Sequence, residues 1–241
     1  MKTIEYIANT INRMPKGYVF TYADFTTEVN RKEAIIKTLN RMVASGKIVK
    51  LAKGKYYKPE ETVFGKLQPN QNQMVKDLLE SNGKIVGYLT GYSIYNQLGL
   101  TTQVSNTIQI GKNHVRGAIK RERYTIAFIK QKNNITKDNI PLLQILDAIR
   151  YIKKIPDATV ASACKRLLTI VKEQSQQDKT TLVRLAQKYP PAARALLGAL
   201  LETAGEKSLT VSLFSSLNHI TQYKLTGVVK VLPAASKWNI K

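Results

Sequence analysis

The residues best suited to chemistry in this sequence are cations that recur on one face of a predicted helix. From Asn30 to Ser45, apolar residues return every three or four positions, which predicts a helix with one buried stripe. At about 100° per residue, Lys37 and Arg41 lie almost opposite that stripe and Thr38 flanks them, so all three are expected to face outward. Side chains of these types bind phosphates and the edges of bases. The predicted chemistry is therefore recognition of nucleic acid.

A second set of cations lies on a predicted hairpin directly after this helix. KIVKL and KYYK are β-prone runs, and the connection Ala52-Lys53-Gly54 contains the glycine that short hairpin loops favour. Lysines crowd this ribbon of roughly a dozen residues, where like charges repel unless an anion lies alongside. A phosphate backbone supplies such an anion, and Lys53 and Lys55 are the predicted contacts.

The elements before the helix complete the outline of a winged helix-turn-helix. Thr3 to Arg13 has the apolar spacing of a first helix, and Thr21 and Asp24 form a predicted capping box for a short helix through Phe25. Helix, turn, helix and cationic hairpin in this order favour binding to duplex DNA. Taken singly, the basic helix is explained by a solvated face and the hairpin turn by a soluble loop, and these alternatives remain open.

The positive charge extends over the whole chain. The 38 basic and 16 acidic side chains give a net charge of +22, and the sequence pI is near 10.0. Residues 1–70, 71–140 and 141–241 carry +7, +6 and +9. Such a distribution suits a protein that touches a polyanion at several places, or one kept in solution by self-repulsion.

The sequence predicts an α+β protein of two domains. Residues 1–65 form the winged helix-turn-helix, and an irregular stretch rich in Pro, Asn and Gln marks a boundary near residue 66. Residues 66–241 form a larger mixed domain, mostly helical with a small β-sheet, in which Gly91 and Gly99 flank a short helix and need positive φ or a close approach. Other helices are predicted at Gln73–Glu80, from Pro141 to Lys154, from a cap at Asp157 to Glu173, from a cap at Thr180 or Thr181 to Lys188, and from Pro190-Pro191 to before Gly205, with strands at Lys84–Leu89, Thr107–Ile110, Tyr124–Ile129 and Tyr223–Leu232.

Sets of residues suited to catalysis are missing from the sequence. His114 and His219 have no metal-ligand spacing, Cys164 is the lone cysteine on an apolar helix face, and no phosphate-binding loop motif is present. We therefore expect no enzyme activity, no cofactor and no metal. The first residues lack the apolar core of a secretion signal and the run from Ala195 to Leu201 is too short to span a bilayer, so we expect a cytoplasmic protein without a membrane partner.

A second basic segment precedes the strand predicted at Tyr124. It is either a charged loop or a second polyanion contact. Its cations are Lys112, Arg116, Lys120, Arg121 and Arg123.

The sequence also resembles a known family. The stretch LAKGKYY, followed by GYLTGYSIYNQLGLTTQVSN, is similar to the AbiE-type antitoxins, the transcriptional regulators of type IV toxin-antitoxin and abortive-infection systems. The resemblance covers the N-terminal part to about residue 130. It implies a winged helix that binds inverted repeats in its own promoter, and a C-terminal domain that counteracts a nucleotidyltransferase-like toxin without a stable complex.

Together these observations predict a DNA-binding transcriptional autorepressor and antitoxin. The alternatives are a winged-helix module that binds RNA and one that binds another protein, without antitoxin activity. The predicted DNA contacts are Arg31, Lys37, Thr38, Arg41, Lys53 and Lys55.

Overall fold

The chain folds into two compact units with mixed α and β structure. A computed structural model describes residues 3–26, 29, 31–81 and 83–241, so the predicted helix start at Asn30 lies outside the described residues. The first unit extends to Glu80 and also includes Lys120–Tyr124, and the second comprises Ser81–Ile119 and Thr125–Lys241. This division falls later than the boundary expected near residue 66, because residues 66–80 bond to the first unit. Gln73 accepts from the Val19 amide at 3.2 Å.

The first unit consists of a small three-stranded sheet, a two-stranded sheet and several helices. Its sheet has the order β1-β3-β2, with both pairings antiparallel. A short 3₁₀ helix at Tyr22–Phe25 separates β1 from α2. The elements of this unit are α1 (Thr3–Arg13), β1 (Val19–Thr21), α2 (Lys32–Ala44), β2 (Val49–Ala52), β3 (Lys55–Tyr57), β4 (Glu60–Thr62), β5 (Gly65–Leu67), α3 (Gln71–Met74) and α4 (Lys76–Leu79).

Local signals set the bounds of these early elements. Thr21 and Asp24 form the predicted capping box: the Ala23 amide donates to Thr21 Oγ1 at 3.2 Å and the Thr21 amide donates to Asp24 Oδ2 at 2.8 Å. The helix predicted to end before Gly46 ends at Ala44, and Gly46 has a φ of +74° that favours glycine. The apolar stripe of α2 packs with the sheet, and the core of the unit contains Ile7, Ile11, Phe20, Phe25, Ile35, Leu39, Ile48 and Tyr56.

The second unit begins with short strands and a small mixed sheet. β8 pairs antiparallel with β9 and β9 pairs parallel with β11, so the order of these three strands is β11-β9-β8. Gly91 has a φ of +57°, and a methyl group there would overlap the Gln109 side chain, so both conditions expected for this glycine are met. The strands that lie wholly in this unit are β7 (Lys84–Ile85), β8 (Tyr88–Thr90) and β9 (Thr107–Lys112). Three others include residues of the first unit: β6 (Glu80–Ser81), β10 (Ile119–Arg121) and β11 (Tyr124–Lys130).

Helices form most of the second unit and bury its main core. Two predicted caps are wrong: Thr159 rather than Asp157 caps α6 and Ser175 rather than a threonine caps α7, each by accepting a backbone N–H three residues on. Asp157 instead has a φ of +50°. The helices are α5 (Asn139–Arg150), α6 (Val160–Glu173), α7 (Gln176–Ala186), α8 (Pro191–Thr203) and α9 (Val211–Ser215).

The last residues of the chain pack against α8. Trp238 is 1% exposed, its ring lies against Gly198, and its indole N–H donates to Glu202 at 3.0 Å. The strand predicted at Tyr223–Leu232 is wrong: this run contains a 3₁₀ turn at Val228–Lys230, and Tyr223 makes only an isolated bridge to Ile240. Among the residues with described structure, no helix combines the length and hydrophobicity needed to cross a bilayer.

Candidate nucleic-acid interface

The outward face of α2 presents two of the predicted cations to solvent. Lys37 and Arg41 are exposed, and Arg31 is exposed at the N-cap, where its side chain makes no capping bond. Thr38 does not share this face. It is 6% exposed and its Oγ1 donates to the Ala34 carbonyl at 2.9 Å, so the prediction that Thr38 faces outward is wrong.

The two lysines predicted to contact DNA from the β2–β3 hairpin lie in different environments. Lys53 is exposed at the turn, beside Gly54 with a φ of +73°. Lys55 is half-buried and its ammonium forms an ion pair with Asp77 of α4. Lys53 is therefore available to a phosphate, whereas Lys55 already has an anionic partner within the protein.

Side-chain contacts attach the hairpin to α2 and to β1. The Tyr56 hydroxyl of β3 donates to Asn40 Oδ1 at 3.1 Å, and Asn40 directly precedes Arg41 on the helix. The Tyr56 ring stacks on Phe20 of β1, with ring centroids 6.3 Å apart. These contacts hold the sheet against the helix that carries Lys37, so the helix and the hairpin form one structural unit.

The cations of this face lack internal counter-charges. Across residues 3–26, 29, 31–81 and 83–241, neither Lys37, Arg41 nor Lys53 forms a salt bridge. Charges of one sign without partners attract an external polyanion over a range set by the ionic strength. Lys47, just before β2, and Lys50, within β2, are also exposed and extend this positive surface.

Asp77 forms ion pairs with both Lys55 and Arg121, two cations that were predicted from the sequence to contact DNA or another polyanion. Arg121 is 9% exposed, and its guanidinium donates to Asp77 at 2.8 and 3.2 Å and is bonded to the Met74 carbonyl at 2.5 Å. Burial alone would raise the pKa of Asp77, but the hydrogen bonds from Arg121 and Lys55 outweigh it and hold this pKa below its ordinary value. Arg121 is thus a structural cation, and the prediction that it contacts a polyanion does not fit its burial.

The rest of the second basic segment is divided between the two units. Two of its cations, Lys112 and Arg116, belong to the second unit. Lys112 is half-buried, whereas Arg116 is exposed and its guanidinium lies 5.3 Å from the Phe128 ring centre. Lys120 and Arg123 are exposed in the first unit, and Arg123 donates to the hydroxyl of Tyr124 at 2.9 Å. The segment is therefore not one continuous patch within a single unit.

Comparison with known proteins gives a family and a fold. The model of a family of unknown function, DUF6088, matches residues 6–178. The chain belongs to this DUF6088 family. The crystal structure of the RV2827C protein from Mycobacterium tuberculosis is similar, with a TM-score of 0.56 and 14% sequence identity over 92% of this chain and 84% of that one. This similarity supports the fold alone, and no curated protein matches the sequence.

Groups in the DUF6088 chain that could do covalent or metal chemistry are isolated. Cys164 is fully buried in α6, and burial raises the pKa of its thiol to about 12, which keeps it protonated and unreactive. His114 and His219 are exposed. Within the described part of the chain, no three His, Cys, Asp or Glu side chains are placed to hold a metal ion.

The second unit contains a buried polar network that the sequence analysis missed. Asp147 of α5 is 1% exposed and accepts hydrogen bonds from the hydroxyls of Tyr88 (2.7 Å), Thr90 (2.7 Å) and Tyr189 (2.8 Å). Gln131 donates to both tyrosine hydroxyls, at 2.8 and 2.9 Å. A lone aspartate inside the apolar pattern of α5 was the available signal, since a buried carboxylate needs several donors.

Proposed function

We propose that this protein is a winged-helix, sequence-specific DNA-binding repressor without enzyme activity. The order of α1, β1, the 3₁₀ helix, α2 and the β2–β3 hairpin, with β1 completing a three-stranded sheet, supports the winged-helix assignment. The observation that carries the proposal is the exposure of Lys37 and Arg41 on α2, without salt-bridge partners in the described residues, on a helix bonded to a cationic hairpin.

The two elements are proposed to act differently on duplex DNA. Arg41 and Lys37 on α2 would enter the major groove, where a guanidinium reads guanine through two hydrogen bonds. Lys53 at the hairpin turn, with Arg31 at the start of α2, would contact phosphates and supply affinity that depends on salt but not on sequence. Thr38 has no place in this contact set because it is buried, and Lys55 has none because it pairs with Asp77.

We further propose that the protein acts as the antitoxin of a type IV toxin-antitoxin system. The support is the sequence resemblance to AbiE-type antitoxins, which implies repression of the shared promoter and antagonism of a nucleotidyltransferase-like toxin without a stable complex. Co-expression with the toxin encoded beside it should restore growth, and a purified mixture of the two proteins should elute as separate species.

DNA binding is tested by measuring fluorescence anisotropy with the promoter of the protein's own gene and with a shuffled sequence. Arg41→Ala should weaken promoter binding by about 1–3 kcal/mol and reduce discrimination against the shuffled duplex. Lys53→Ala should weaken both duplexes alike and lower the slope of log affinity against log salt by about one.

The matched control is Lys172→Ala, which removes the same charge from an exposed position on α6 in the second unit. An equal loss for Lys172→Ala and Lys53→Ala would contradict the hairpin contact and leave only a general charge effect. Stronger competition by duplex RNA than by promoter DNA would instead favour the RNA-binding alternative. Binding to a protein partner that persists at high salt would favour the protein-interaction alternative, since phosphate contacts weaken steeply with salt.

A further inference from the structure

Four cations of the second unit line one cavity. This cavity, here called the cationic cavity, has a volume of about 440 Å³, within the range of small-molecule sites, roughly 300–1,000 Å³. Its wall is formed by the end of β11 and the residues after it, the end of α5, the turn after α7 and the start of α8. Among the described residues that line it there is no Asp or Glu. The cations are Lys130, Lys132, Arg150 and Lys188.

The alternation of side chains along an extended segment places two of these lysines. The pairing with β9 continues beyond β11, since the Gln131 amide donates to the Lys112 carbonyl at 2.8 Å. Gln131 is 3% exposed, whereas Lys130 and Lys132 on either side of it are exposed. Successive side chains of an extended segment point to opposite sides, so the burial of Gln131 directs both lysines outward.

The other two cations contact backbone carbonyls and have no counter-charge in the described protein. Arg150 Nη1 lies 3.4 Å from the Lys130 carbonyl oxygen, and Lys188 Nζ lies 3.4 Å from the Lys132 carbonyl oxygen. Across the part of the chain that the structure describes, none of the four cations forms a salt bridge. Positive charges that line one cavity repel one another, and a bound anion relieves this repulsion.

The first turn of α8 adds the positive end of a helix dipole. This helix of 13 residues begins at Pro191, has no acidic residue in its first turn and has no side-chain cap at Pro190. Both prolines line the cationic cavity. The N-terminus of a helix attracts phosphates through its dipole and its free N–H groups, so it favours the same kind of ligand as the four cations.

Hydrogen bonds hold the floor of the cationic cavity in place. The floor consists of the buried side chains of Gln131 and Tyr189, which bond to each other at 2.9 Å. The Tyr189 hydroxyl donates to the carboxylate of Asp147 at 2.8 Å, and this aspartate does not line the cavity. A floor fixed by such a network needs no rearrangement to receive a ligand, which lowers the cost of binding.

We propose that the cationic cavity binds an oligophosphate, a group of two or more linked phosphates. One phosphate carries a charge of about −1.5 to −2 at pH 7, so four cations match the charge of at least two phosphates. The planar guanidinium of Arg150 suits two oxygens of one phosphate side by side, and the lysines contact the remaining oxygens as point charges.

Further cations near Arg150 strengthen the attraction for an approaching anion. A neighbouring cavity that also includes Arg150 is lined by Lys153, Lys154 and Lys224. Charges of one sign on a shared surface raise the local concentration of an oppositely charged ligand. The oligophosphate site lies in the second unit and is independent of the DNA contacts proposed in the first.

Titration calorimetry on the full chain at physiological salt tests the proposal. The probes are tripolyphosphate, pyrophosphate, orthophosphate and sulfate. We expect one tripolyphosphate per chain, bound about tenfold or more tightly than orthophosphate or sulfate, because a single small anion leaves part of the positive charge unpaired. The proposal is overturned if tripolyphosphate does not bind at millimolar concentration, or if all four anions bind equally.

Competition against bound tripolyphosphate distinguishes the sources of such a group. ATP and GTP represent free nucleotides, and a short RNA with a 5′-triphosphate represents the end of a strand. Preference for either source supports the site, since the linked phosphates are common to both. The same RNA with a 5′-hydroxyl should displace tripolyphosphate poorly. Equal displacement by the two RNAs would show a surface for the phosphodiester backbone and would overturn the oligophosphate site.

Variants assign the binding to the cationic cavity. Arg150→Gln and Lys188→Gln should each weaken tripolyphosphate binding about tenfold, which corresponds to about 1.4 kcal/mol. Lys188 is exposed, so its variant keeps the test valid if Arg150→Gln does not fold.

Two charge-matched controls separate this site from the general positive charge of the chain. Lys224→Gln removes an exposed cation that lines only the neighbouring cavity, and Lys172→Gln removes one on α6, outside both cavities. Both variants should bind tripolyphosphate almost as tightly as the unaltered chain. If either control loses as much affinity as Lys188→Gln, the binding is a general charge effect and the proposal is overturned.

Discussion

Replacing Asp147 by alanine should lower the free energy of unfolding of the second unit by a large amount. The carboxylate is buried and accepts from three hydroxyls, those of Tyr88, Thr90 and Tyr189. Alanine removes the acceptor and leaves all three donors facing a small void. The side chains are fixed by the surrounding helices and strands, so they cannot all turn to water.

The size of the effect follows from these three bonds. Each buried donor left without a partner costs about 1–3 kcal/mol, and the sum is reduced because the variant no longer buries a carboxylate. We expect a net loss of about 3–5 kcal/mol, which is similar to the loss on breaking a buried charged pair. Whole domains have only about 5–15 kcal/mol of stability, so this single change removes a large share.

Fluorescence during urea unfolding measures this loss. Trp238 is the sole tryptophan and is buried in the same core as Tyr88 and Tyr189, so its emission reports on the second unit. The matched control is Asp138→Ala at the start of the same helix, where the aspartate is exposed and makes no capping bond. If Asp147→Ala loses no more stability than Asp138→Ala, the network does not stabilise the fold and the reasoning is refuted.

The pH dependence of the free energy of unfolding tests the burial of the same carboxyl group. Burial raises the pKa of Asp147 above the ordinary value of 3.8, against the opposing effect of its hydroxyl donors. Between pH 3.8 and the folded-state pKa, the folded protein therefore keeps a proton that the unfolded chain has released, and the free energy of unfolding falls as pH rises across this range. Asp147→Asn should lack this slope, and identical slopes in both proteins would show that the carboxyl does not titrate this way.

Two further predictions concern other contacts. Gly198→Ala should lower the free energy of unfolding by about 1–3 kcal/mol and shift the Trp238 fluorescence emission, because the added methyl group overlaps the indole ring. The control is Gly117→Ala, where a methyl group meets nothing within 4 Å and the emission should stay unchanged. Asp77→Asn should speed amide hydrogen exchange in β3 and cost about 1–2 kcal/mol, because the buried Arg121 loses its anion. The pKa of Asp77 is lowered, so its contribution to the free energy of unfolding is present above the ordinary pKa of 3.8 and is lost as pH falls through the folded-state pKa. If the amide protection of β3 does not change with pH in that range, this expectation is contradicted.

Features encoded in short stretches of sequence were predicted well. The capping box of Thr21 and Asp24, the bounds of α1 and the glycine after α2 each depend on residues within one or two helical turns. The start of α8 at Pro191 follows from the fixed φ of proline, which suits the first turn of a helix. For these elements the local chain contains the deciding interaction.

Features decided by distant partners were not predictable in the same way. Helical periodicity places Thr38 at the edge of the outward face, but a bond to the Ala34 carbonyl satisfies its hydroxyl and allows its burial. The partner of Lys55 lies 22 residues away, and Arg121 lies 44 residues beyond Asp77. Residues Tyr223–Leu232 are β-prone, yet Val228 and Leu232 are buried in a turn, because an apolar run fits a strand and a packed turn equally well.

The first unit is discontinuous, and this affects its synthesis on the ribosome. Its main part ends at Glu80, but Lys120–Tyr124 follow roughly 40 residues later and contain the arginine that bonds to the Met74 carbonyl. At about 5–20 residues per second, the ribosome needs about 2–8 s to make the intervening segment. During that interval the nascent first unit lacks Arg121, so slow codons between these positions would prolong its exposure to proteases and chaperones.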